Sequence, residues 1–490
     1  MPRLGRLAEG PAAAAEFRHD LVPAADGDVV GPGRRRTWRP PGSVPRASTQ
    51  TAGVTVLIMV TYRQPGTVLT ERTFSVPLDH ASPAGQQIEI FAREVVAADG
   101  AHADLPWLLY LQGGPGFGSP RPVGQDSWLG RALRDFRVLL LDQRGTGRST
   151  PATRQTLAGL RTARAQADYL AHFRADSIVA DAELIRRQVT GGAPWAVLGQ
   201  SFGGFCTVRY LSAVPDGISE AFLTGGLPGL SVTADDVYRL TYQQVEANCR
   251  EHYQRYPQDA GTARRVAREL ARRENAGDPV CLPDGGPLTV ERFQSLGQLL
   301  GSSTGSHTLH YLLEDPFAGA ELGDDFLHRV WATLSYASAP LYAVVHEACY
   351  AQGRATRWSA QRIRAEFAAF SPAAAVDGDA PLLFTGEMVY PWAFLVDPVL
   401  APLAEAAELL AQKEDWPVLY DAAQLGRNAV QCAAAIYYND MYVPRDLSVQ
   451  TAAGIRGLRP WVTSEYEHDG LRVSDGAVLD RLIRLTRGLG

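Results

Sequence analysis

A serine stands in a pattern that is typical of an activated nucleophile. Ser201 lies at the centre of residues 199–203, Gly-Gln-Ser-Phe-Gly, which match the motif GxSxG. The apolar run 195–198 before it predicts a strand, and residues 205–213 after it predict a helix. In a strand–turn–helix of this kind the glycines let the backbone bend tightly and lift the hydroxyl above the strand end. The pattern predicts that Ser201 attacks a carbonyl carbon in acyl transfer.

A serine hydroxyl needs a general base, and the base needs a carboxylate that orients it. With this kind of serine turn the order along the chain is serine, acid, histidine. His468 is the only one of ten histidines beyond residue 378, and it follows a predicted strand at 460–463. Asp440 follows an apolar run at 433–438. The competing carboxylates are Asp446, Asp469 and Asp475. The first lies deeper in its loop and the second is too close to the histidine to reach its ring, so we predict His468 as base and Asp440 as acid.

Two glycine-rich runs also follow predicted strands. Residues 112–116, Gln-Gly-Gly-Pro-Gly, come directly after the apolar run 107–111. Backbone N–H groups of Gly113 or Gly114, with that of Phe202, could bind a developing oxyanion, although the run is also a good turn. Residues 142–149, Asp-Gln-Arg-Gly-Thr-Gly-Arg-Ser, resemble a phosphate-binding loop. Because no GK[ST] sequence follows, the run does not indicate nucleotide binding.

The elements that must position these residues form an alternating pattern. Short apolar runs end in glycine-rich turns, and helical stretches such as 176–190 lie between some of them. Such runs are typical of parallel strands buried on both faces. The runs are 107–111, 138–141, 195–198, 221–223, 381–384, 433–438 and 460–463. We therefore predict a doubly wound, mostly parallel α/β sheet.

The strand pattern stops in the middle of the chain, where residues 229–378 are helical in character. This predicts a helical cap, 229–378, inserted between two parts of a catalytic domain, 59–228 and 379–490. Residues 1–58 are rich in Ala, Pro, Gly and Arg without periodicity, which predicts a disordered N-terminal extension ahead of an alternative start at Met59. Alternating residues at 73–78 and 88–92 predict two further strands.

Composition narrows the class of protein. Hydrophobic residues make up 46% of the 490 residues, and 47 Lys and Arg stand against 53 Asp and Glu. Without a basic excess, binding to nucleic acid or to an anionic membrane is not expected. Five scattered cysteines show no metal-binding spacing, and predict reduced thiols in a cytoplasmic protein, with a Cys249–Cys281 bridge as the alternative.

Three ordered motifs resemble those of the proline iminopeptidase (prolyl aminopeptidase) family, serine peptidases of the α/β-hydrolase fold. They are QGGPG at 112–116, DQRGTGRS at 142–149 and GQSFGG at 199–204, and the resemblance covers residues 60–490. The family signature has His in place of Gln112. The resemblance implies an α/β-hydrolase fold with a cap, no metal or cofactor, and release of an N-terminal proline from peptides.

The family also implies carboxylates that pair with the free α-amine of the substrate. The candidates are Glu387, just past the run 381–384, and Glu347 within the cap, with structural carboxylates as the alternative. The aromatic candidates for a pocket around the proline ring are Tyr390, Trp392, Tyr350 and Trp358, with core packing as their alternative. The sequence leaves open a tripeptidyl aminopeptidase, a carboxylesterase or a non-catalytic binding protein with the same fold.

Overall fold

A central sheet organises the protein. We describe it from a computed structural model, for residues 48–51, 54–100, 104–125 and 127–489. Over these residues the main sheet has ten strands, and a separate pair, β9 and β10, forms a small hairpin. The strands are β1 (Ser48–Thr51), β2 (Val54–Gln64), β3 (Thr67–Pro77), β4 (Gln87–Ala97), β5 (Trp107–Leu111), β6 (Arg137–Leu141), β7 (Trp195–Gln200), β8 (Ile218–Thr224), β9 (Phe317–Ala318), β10 (Glu321–Leu322), β11 (Gln431–Tyr437) and β12 (Leu458–Thr463).

The strand order is β1-β2-β3-β4-β6-β5-β7-β8-β11-β12. Strands β1 to β4 pair antiparallel, as does β4 with β6, and every pair from β6 to β12 is parallel. The doubly wound, mostly parallel sheet predicted from the apolar runs is therefore confirmed. Parallel pairing brings the carboxyl ends of these strands to one edge of the sheet, where ligands bind in this architecture.

Helices surround the sheet and fill the interval between β8 and β11. Among the described residues they are α1 (Ser127–Ala132), α2 (Arg154–Leu157), α3 (Ala163–Leu170), α4 (Ala175–Val189), α5 (Phe202–Ala213), α6 (Ala234–Arg255), α7 (Pro257–Asn275), α8 (Val290–Gln294), α9 (Gly305–Leu313), α10 (Asp324–Leu334), α11 (Pro340–Val345), α12 (Ser359–Arg364), α13 (Pro372–Val376), α14 (Ala393–Val396), α15 (Ala404–Ala411), α16 (Ala422–Gly426), α17 (Arg445–Gly454), α18 (Gly470–Val473) and α19 (Ala477–Thr486). Short 3-10 helices are Pro215–Gly217, Ser295–Gly301, Glu347–Tyr350, Ala368–Phe370 and Ala401–Leu403.

Alternate residues of the central strands pack on opposite faces of the sheet. On β5, Leu109 and Leu111 belong to the hydrophobic cluster that includes residues of α3, α4 and α5. Leu108 and Tyr110 of the same strand belong to a second cluster with α1 and α19. Because both faces are covered, the strand is apolar throughout, which is why these strands stood out in the sequence as continuous runs.

A third hydrophobic cluster joins the helices between β8 and β11. It contains buried residues of α6 to α10, α12 and α13, and also Leu382, Phe384, Met388 and Tyr390. The run 381–384 is not a strand, contrary to the sequence prediction. Its carbonyl groups accept hydrogen bonds from side chains of the helical region instead: Tyr253 bonds Leu382 at 2.5 Å, and Gln294 bonds Leu383 at 2.7 Å. Side-chain donors thus bond the carbonyl groups that a neighbouring strand would bond in a sheet.

Part of the predicted N-terminal extension is strand. Residues 1–47, 52 and 53 lie outside the described residues, but β1 and the first five residues of β2 fall within 1–58 and pair with one another in the sheet. The disorder predicted up to residue 58 therefore differs from the structure at these positions. The segment lacked a clear strand signal because β1 has only polar residues, Ser-Thr-Gln-Thr.

The five cysteines are free thiols, so the alternative Cys249–Cys281 bridge is not formed. Cys249 instead lies close to the carbonyl oxygen of Phe384, with its Sγ 3.4 Å away. In the portions of the chain that the structure describes, the helices are all too short or too polar to cross a membrane.

A buried arginine ties the loop after β6 to three other elements. The Arg144 guanidinium donates to Asp181 of α4 at 2.6 and 2.8 Å, and to carbonyl oxygens of Leu78 and His172 at 2.8 Å. Its side chain is fully buried and that of Asp181 is 2% exposed. Removing one member of such a pair leaves the other charge without compensation in a dry interior.

We expect Arg144→Met to lower the free energy of unfolding by about 3–5 kcal/mol, because the Asp181 carboxylate loses its cation. Urea denaturation followed by circular dichroism measures this. The matched control is Arg164→Met, whose pair with Asp168 is exposed on both sides and contributes about 0.5 kcal/mol or less. Equal losses in the two variants would contradict the structural role assigned to Arg144.

Candidate active site

The carboxyl ends of β5, β7, β11 and β12 meet around one cavity. It has a volume of about 440 Å³ and is open to solvent on one side. Its lining residues include Gly113, Gly114, Ser201, Glu387 and His468. The parallel register of the sheet thus brings together residues that are up to 360 positions apart in the sequence, from Gln112 to Arg472.

Ser201 occupies the sharp turn between β7 and α5. Its φ and ψ are 55° and −125°, a conformation that costs free energy for a residue with a side chain. The surrounding contacts hold it there: the Ser201 N–H donates to Thr224 O at 3.0 Å, and Gly204 N donates to Ser201 O at 2.7 Å. A Cβ on Gly203 or Gly204 would collide with backbone oxygens of β5 and of the loop after β8. The two glycines therefore let α5 begin close against the sheet.

The histidine and aspartate predicted from chain order are in contact. Nδ1 of His468 lies 2.7 Å from Oδ2 of Asp440, and both side chains are buried. The other carboxylate oxygen, Oδ1, accepts the N–H groups of Tyr442 and Val443 at 2.9 Å each. These contacts fix the Asp440 carboxylate. Because the carboxylate bonds Nδ1 of His468, the other ring nitrogen, Nε2, is available to the serine hydroxyl. The competing Asp469 instead accepts from Ser303.

The charges around His468 favour its protonated form. Burial opposes the charged imidazolium, but the charge and hydrogen bond of Asp440, together with the charge of Glu387, outweigh it and raise the pKa of His468 above its usual value of 6.5. The nearby guanidinium of Arg472 acts in the opposite direction. A raised pKa makes the imidazole a stronger base, which is what removal of a proton from a serine hydroxyl requires.

The glycine-rich loop after β5 lies directly against the serine. A Cβ placed on Gly113 would be 2.8 Å from Cβ of Ser201 and 2.7 Å from Oε1 of Gln200, so only glycine fits. The next residue, Gly114, has a φ of +131°. On the other side of the serine, the Phe202 N–H is at the first turn of α5, where it has no partner within the helix. Backbone donors thus flank the position where an oxyanion would form.

The run 142–149 supports that loop and is not a phosphate site. Asp142 follows β6 with its side chain fully buried, and accepts the N–H of Ser119 at 2.9 Å and that of Arg148 at 2.8 Å. Arg121 donates to both of its oxygens, at 2.8 and 2.6 Å. Gln143 donates to the carbonyl of Gln112 at 2.9 Å. The carboxylate therefore anchors the loop that carries Gly113.

The base loop is bonded to the helical region above it. His468 N donates to the carbonyl of Gly301 at 3.2 Å, and the Tyr442 hydroxyl donates to that of Gln298. The Asp469 carboxylate accepts the N–H and hydroxyl of Ser303 at 3.1 and 2.7 Å. Three positions in and just after the 3-10 helix Ser295–Gly301, namely 298, 301 and 303, are thus bonded to Tyr442, His468 and Asp469.

Of the two carboxylates expected to bind an amine, the structure places Glu387 on the cavity wall. Its side chain is half-buried. Burial raises its pKa to about 7; the charge of His468 and a hydrogen bond from Tyr342 oppose the rise, and the charge of Asp440 adds to it. Glu387 is on a loop that packs against the helical cluster, and not at the end of a sheet strand as the sequence predicted.

Glu347 is not among the residues that line the cavity. It is 7% exposed, and its Oε1 accepts the N–H of Ala360 at 2.9 Å, in the first turn of α12. Burial raises its pKa, with hydrogen bonds from Thr356 and the α12 backbone opposing the rise. Oε1 of Glu347 is thus used at the start of a helix, which is the structural alternative left open by the sequence, and its contact with substrate stays a prediction.

The aromatic pair expected around a proline ring is also placed elsewhere. Tyr390 is 1% exposed, its ring stacks on Trp392 at 5.3 Å, and its hydroxyl lies 2.7 Å from that of Tyr242. Neither residue lines the cavity, and both pack in the helical cluster. Tyr350 and Trp358 pack against hydrophobic clusters as well. All four aromatics therefore pack against hydrophobic clusters, the alternative that the sequence left open.

Phe117 and Tyr442 line the cavity instead, and sequence reasoning missed both. Phe117, at the end of the glycine-rich loop, is 40% exposed and lies 5.3 Å from the ring of Tyr342. Tyr442 presents its ring edge-on to His468 at 4.8 Å. The sequence signals that could have identified them were the position of Phe117 next to the glycine-rich loop and that of Tyr442 two residues after Asp440. Arg472, four residues after the base, was missed too.

Comparison with known proteins agrees with this geometry. A model of the alpha/beta hydrolase fold family matches residues 106–315, so the fold belongs to that class. The chain is 50% identical over 415 residues to a proline iminopeptidase of Aeromonas sobria, covering 84% of this chain and 95% of that protein. It is 36% identical over 430 residues to proline iminopeptidase aneH of Aspergillus aculeatus, covering 85% and 93%. The chain belongs to the proline iminopeptidase family.

Among solved structures, the crystal structure of esterase E22 aligns with a TM-score of 0.43 at 11% identity, covering 86% of this chain and 100% of that one.

We expect Gly113→Ala to lower kcat for an activated aryl ester by roughly 10²–10³-fold, because the new methyl group displaces the loop that carries the oxyanion donors. Steady-state kinetics with circular dichroism measures activity and folding together. The control is Gly261→Ala on α7, where an added Cβ meets nothing within 4 Å and alanine favours the helix. Retained kcat in a folded Gly113→Ala variant would contradict this placement of the oxyanion site.

Proposed function

We propose that the protein is a serine aminopeptidase that releases an N-terminal proline from peptides, with Ser201 as nucleophile, His468 as base and Asp440 as the acid that orients it. Membership of the proline iminopeptidase family supports the reaction. The observation that carries the assignment of the site is one cavity that contains Ser201, His468 and the half-buried carboxylate of Glu387. A nucleophile next to an anionic group suits an acyl donor with a cationic end.

The first half of the reaction forms an acyl-enzyme. Nε2 of His468 takes the hydroxyl proton as Ser201 Oγ attacks the carbonyl carbon of the N-terminal proline. The N–H groups of Phe202 and of Gly113 or Gly114 bind the oxyanion, at roughly 3–4 kcal/mol for each donor. Asp440 stabilises the imidazolium that forms. The imidazolium then protonates the leaving amine, and the C–N bond breaks.

The second half repeats the sequence with water as nucleophile. His468 removes a proton from the water, the hydroxide attacks the prolyl ester, and Ser201 Oγ leaves with the proton held by the imidazole. Free proline and the resting enzyme result. Each proton passes through His468, the first from Ser201 to the leaving amine and the second from water to Ser201 Oγ, so the side chains named here complete the reaction between them.

The carboxylate of Glu387 selects substrates that have a free N-terminal amine. A protonated prolyl amine next to this carboxylate gains a charge-assisted hydrogen bond in a half-buried site, where such bonds are stronger than in water. An N-blocked peptide has no such charge and would leave Glu387 to be desolvated without compensation. The cavity therefore favours a chain end over an internal residue.

Phe117 and Tyr442 are the residues that we assign to the proline ring. Both line the cavity, and Tyr342 packs against Phe117 while it hydrogen-bonds Glu387. An apolar ring next to the amine position suits a pyrrolidine, whose nitrogen is part of the ring. We also propose a cytoplasmic location, supported by five free thiols in a protein of this size.

The substrate preference is tested with three compounds: a prolyl arylamide, its N-acetyl form and an aryl ester. We expect turnover of the free prolyl arylamide, a loss of at least 100-fold on N-acetylation, and no turnover of the arylamide by Ser201→Ala. Release of the arylamine is followed by absorbance. Hydrolysis of the ester alone would indicate an esterase, and activity in Ser201→Ala would exclude that residue as the nucleophile.

The role of Glu387 has a pH signature. Because its pKa is about 7, the carboxylate that binds the amine is lost as the pH falls through 7, and the KM for prolyl arylamide should rise on the acid side. Glu387→Gln should raise KM by about 10–100-fold and remove this dependence. Since the charge of Glu387 helps to raise the pKa of His468, the acid limb of kcat should also move to lower pH in the variant.

Initial rates between pH 5.5 and about 8.5 separate the two effects, because kcat reports the base and KM the amine site. Glu405→Gln, an exposed carboxyl on α15, is the charge-matched control and should leave both profiles unchanged. An unaltered KM profile in Glu387→Gln would mean that the amine is bound elsewhere.

A further inference from the structure

The catalytic cavity carries opposite charges on its wall. Glu387 and Arg472 both line it, together with Ser201 and His468. Both act on the base, since the charge of Glu387 raises the pKa of His468 and that of Arg472 lowers it. The proposed function uses the negative group alone. Arg472, the positive group, has no part in the proposed acyl transfer, and its charge disfavours protonation of the His468 imidazole.

The position of Arg472 is fixed by its backbone. It lies on the short helix α18, where its N–H donates to the carbonyl of Asp469 at 2.8 Å and its own carbonyl accepts the hydroxyl of Ser127 at 2.6 Å. The carboxylate of Asp469 is in turn bonded to Ser303. The backbone of Arg472 is therefore held by Asp469 and Ser127, and Asp469 is the residue that follows His468 in the sequence.

The guanidinium itself is free of protein anions. Within the described ranges, none of the carboxylates lies within ion-pair distance of Arg472, and its side chain takes part in none of the hydrogen bonds found there. Arg121, on the loop that carries the oxyanion donors, contrasts with it, because both of its terminal nitrogens are held by Asp142. An arginine presents a planar fork of donors that matches a carboxylate. Arg472 thus offers an unused carboxylate site.

The dimensions suit a very short substrate. An extended dipeptide spans about 7 Å, two residues at 3.3–3.6 Å each. A cavity of about 440 Å³ is about 9 Å across if it is taken as a sphere. A dipeptide whose amine is at Glu387 therefore fits within the same cavity, which Arg472 also lines. In a longer peptide a neutral amide takes the place of the dipeptide's terminal carboxylate.

We propose that Arg472 binds the C-terminal carboxylate of dipeptides that begin with proline, so that free Pro-Xaa dipeptides are the preferred substrate class of this enzyme. The inference rests on the proposed function and deepens it. Glu387 and Arg472 together then recognise the two charged ends of a zwitterion, with the scissile bond held between them at Ser201. Longer peptides keep the first contact and lose the second.

The test compares Pro-Ala with Pro-Ala-NH₂, which differ only in the terminal charge, in wild type, Arg472→Gln, Arg472→Lys and the control Arg481→Gln. Proline release is followed by chromatography, and the readout is the ratio of kcat/KM for the acid to that for the amide. Because any change in the pKa of His468 affects both substrates, it cancels in the ratio. Arg481 is on α19, outside the cavity lining, and its replacement makes the same change in net charge.

We expect the wild-type ratio to exceed 10, to fall at least tenfold in Arg472→Gln, to recover in part in Arg472→Lys and to stay at the wild-type value in Arg481→Gln. The ratio should also decrease with added salt, because the site is partly exposed. A wild-type ratio near 1, or one that is unchanged in Arg472→Gln, overturns the inference. Prolyl arylamide has no carboxylate, so its turnover reports the proposed function separately: if it is cleaved while the ratio is 1, only the dipeptide inference fails.

Discussion

The hydrogen bond between Asp440 and His468 is the interaction on which the rest of the site depends. It joins two loops that follow adjacent parallel strands, β11 and β12, so the pairing of those strands brings the two side chains to within 2.7 Å of each other. In the proposed mechanism the same bond fixes the tautomer of the imidazole and leaves Nε2 for the hydroxyl of Ser201. Burial of both partners makes it strong and also costly to break. The strained turn at Ser201 has a use only because this base is held in place beside it.

Most of this framework was predictable from the sequence, for a physical reason. Strands that are buried on both faces are apolar throughout, and the residue just beyond each strand end comes to the common edge of a parallel sheet. Ser201, Asp440 and His468 could therefore be selected by their distance from an apolar run. The same logic failed at 381–384, which is equally apolar. That run is buried against cap helices, whose side chains hydrogen-bond its carbonyl groups. The sequence of an apolar run does not reveal whether a sheet or a set of helices buries it.

The substrate side of the cavity was harder to predict because it is assembled from loops. Glu347 and Tyr390 have the residue types that amine and ring binding require, yet one begins a helix and the other packs in a core. Phe117 and Arg472 reach the cavity from turns whose course depends on contacts with distant residues, such as Asp142 and Ser127. Strand ends are local features of the sequence. The direction of a loop side chain is a property of the whole fold.

The bonds between the base loop and the 3-10 turn Ser295–Gly301 have a consequence for movement of the cap. His468, Asp469 and Tyr442 all hold that part of the cap, so the cap cannot swing away as a lid without pulling on the acid and base. Movement of this helical region away from the sheet would therefore displace the loops that carry His468 and Asp440, and with them the hydrogen bond between the two side chains.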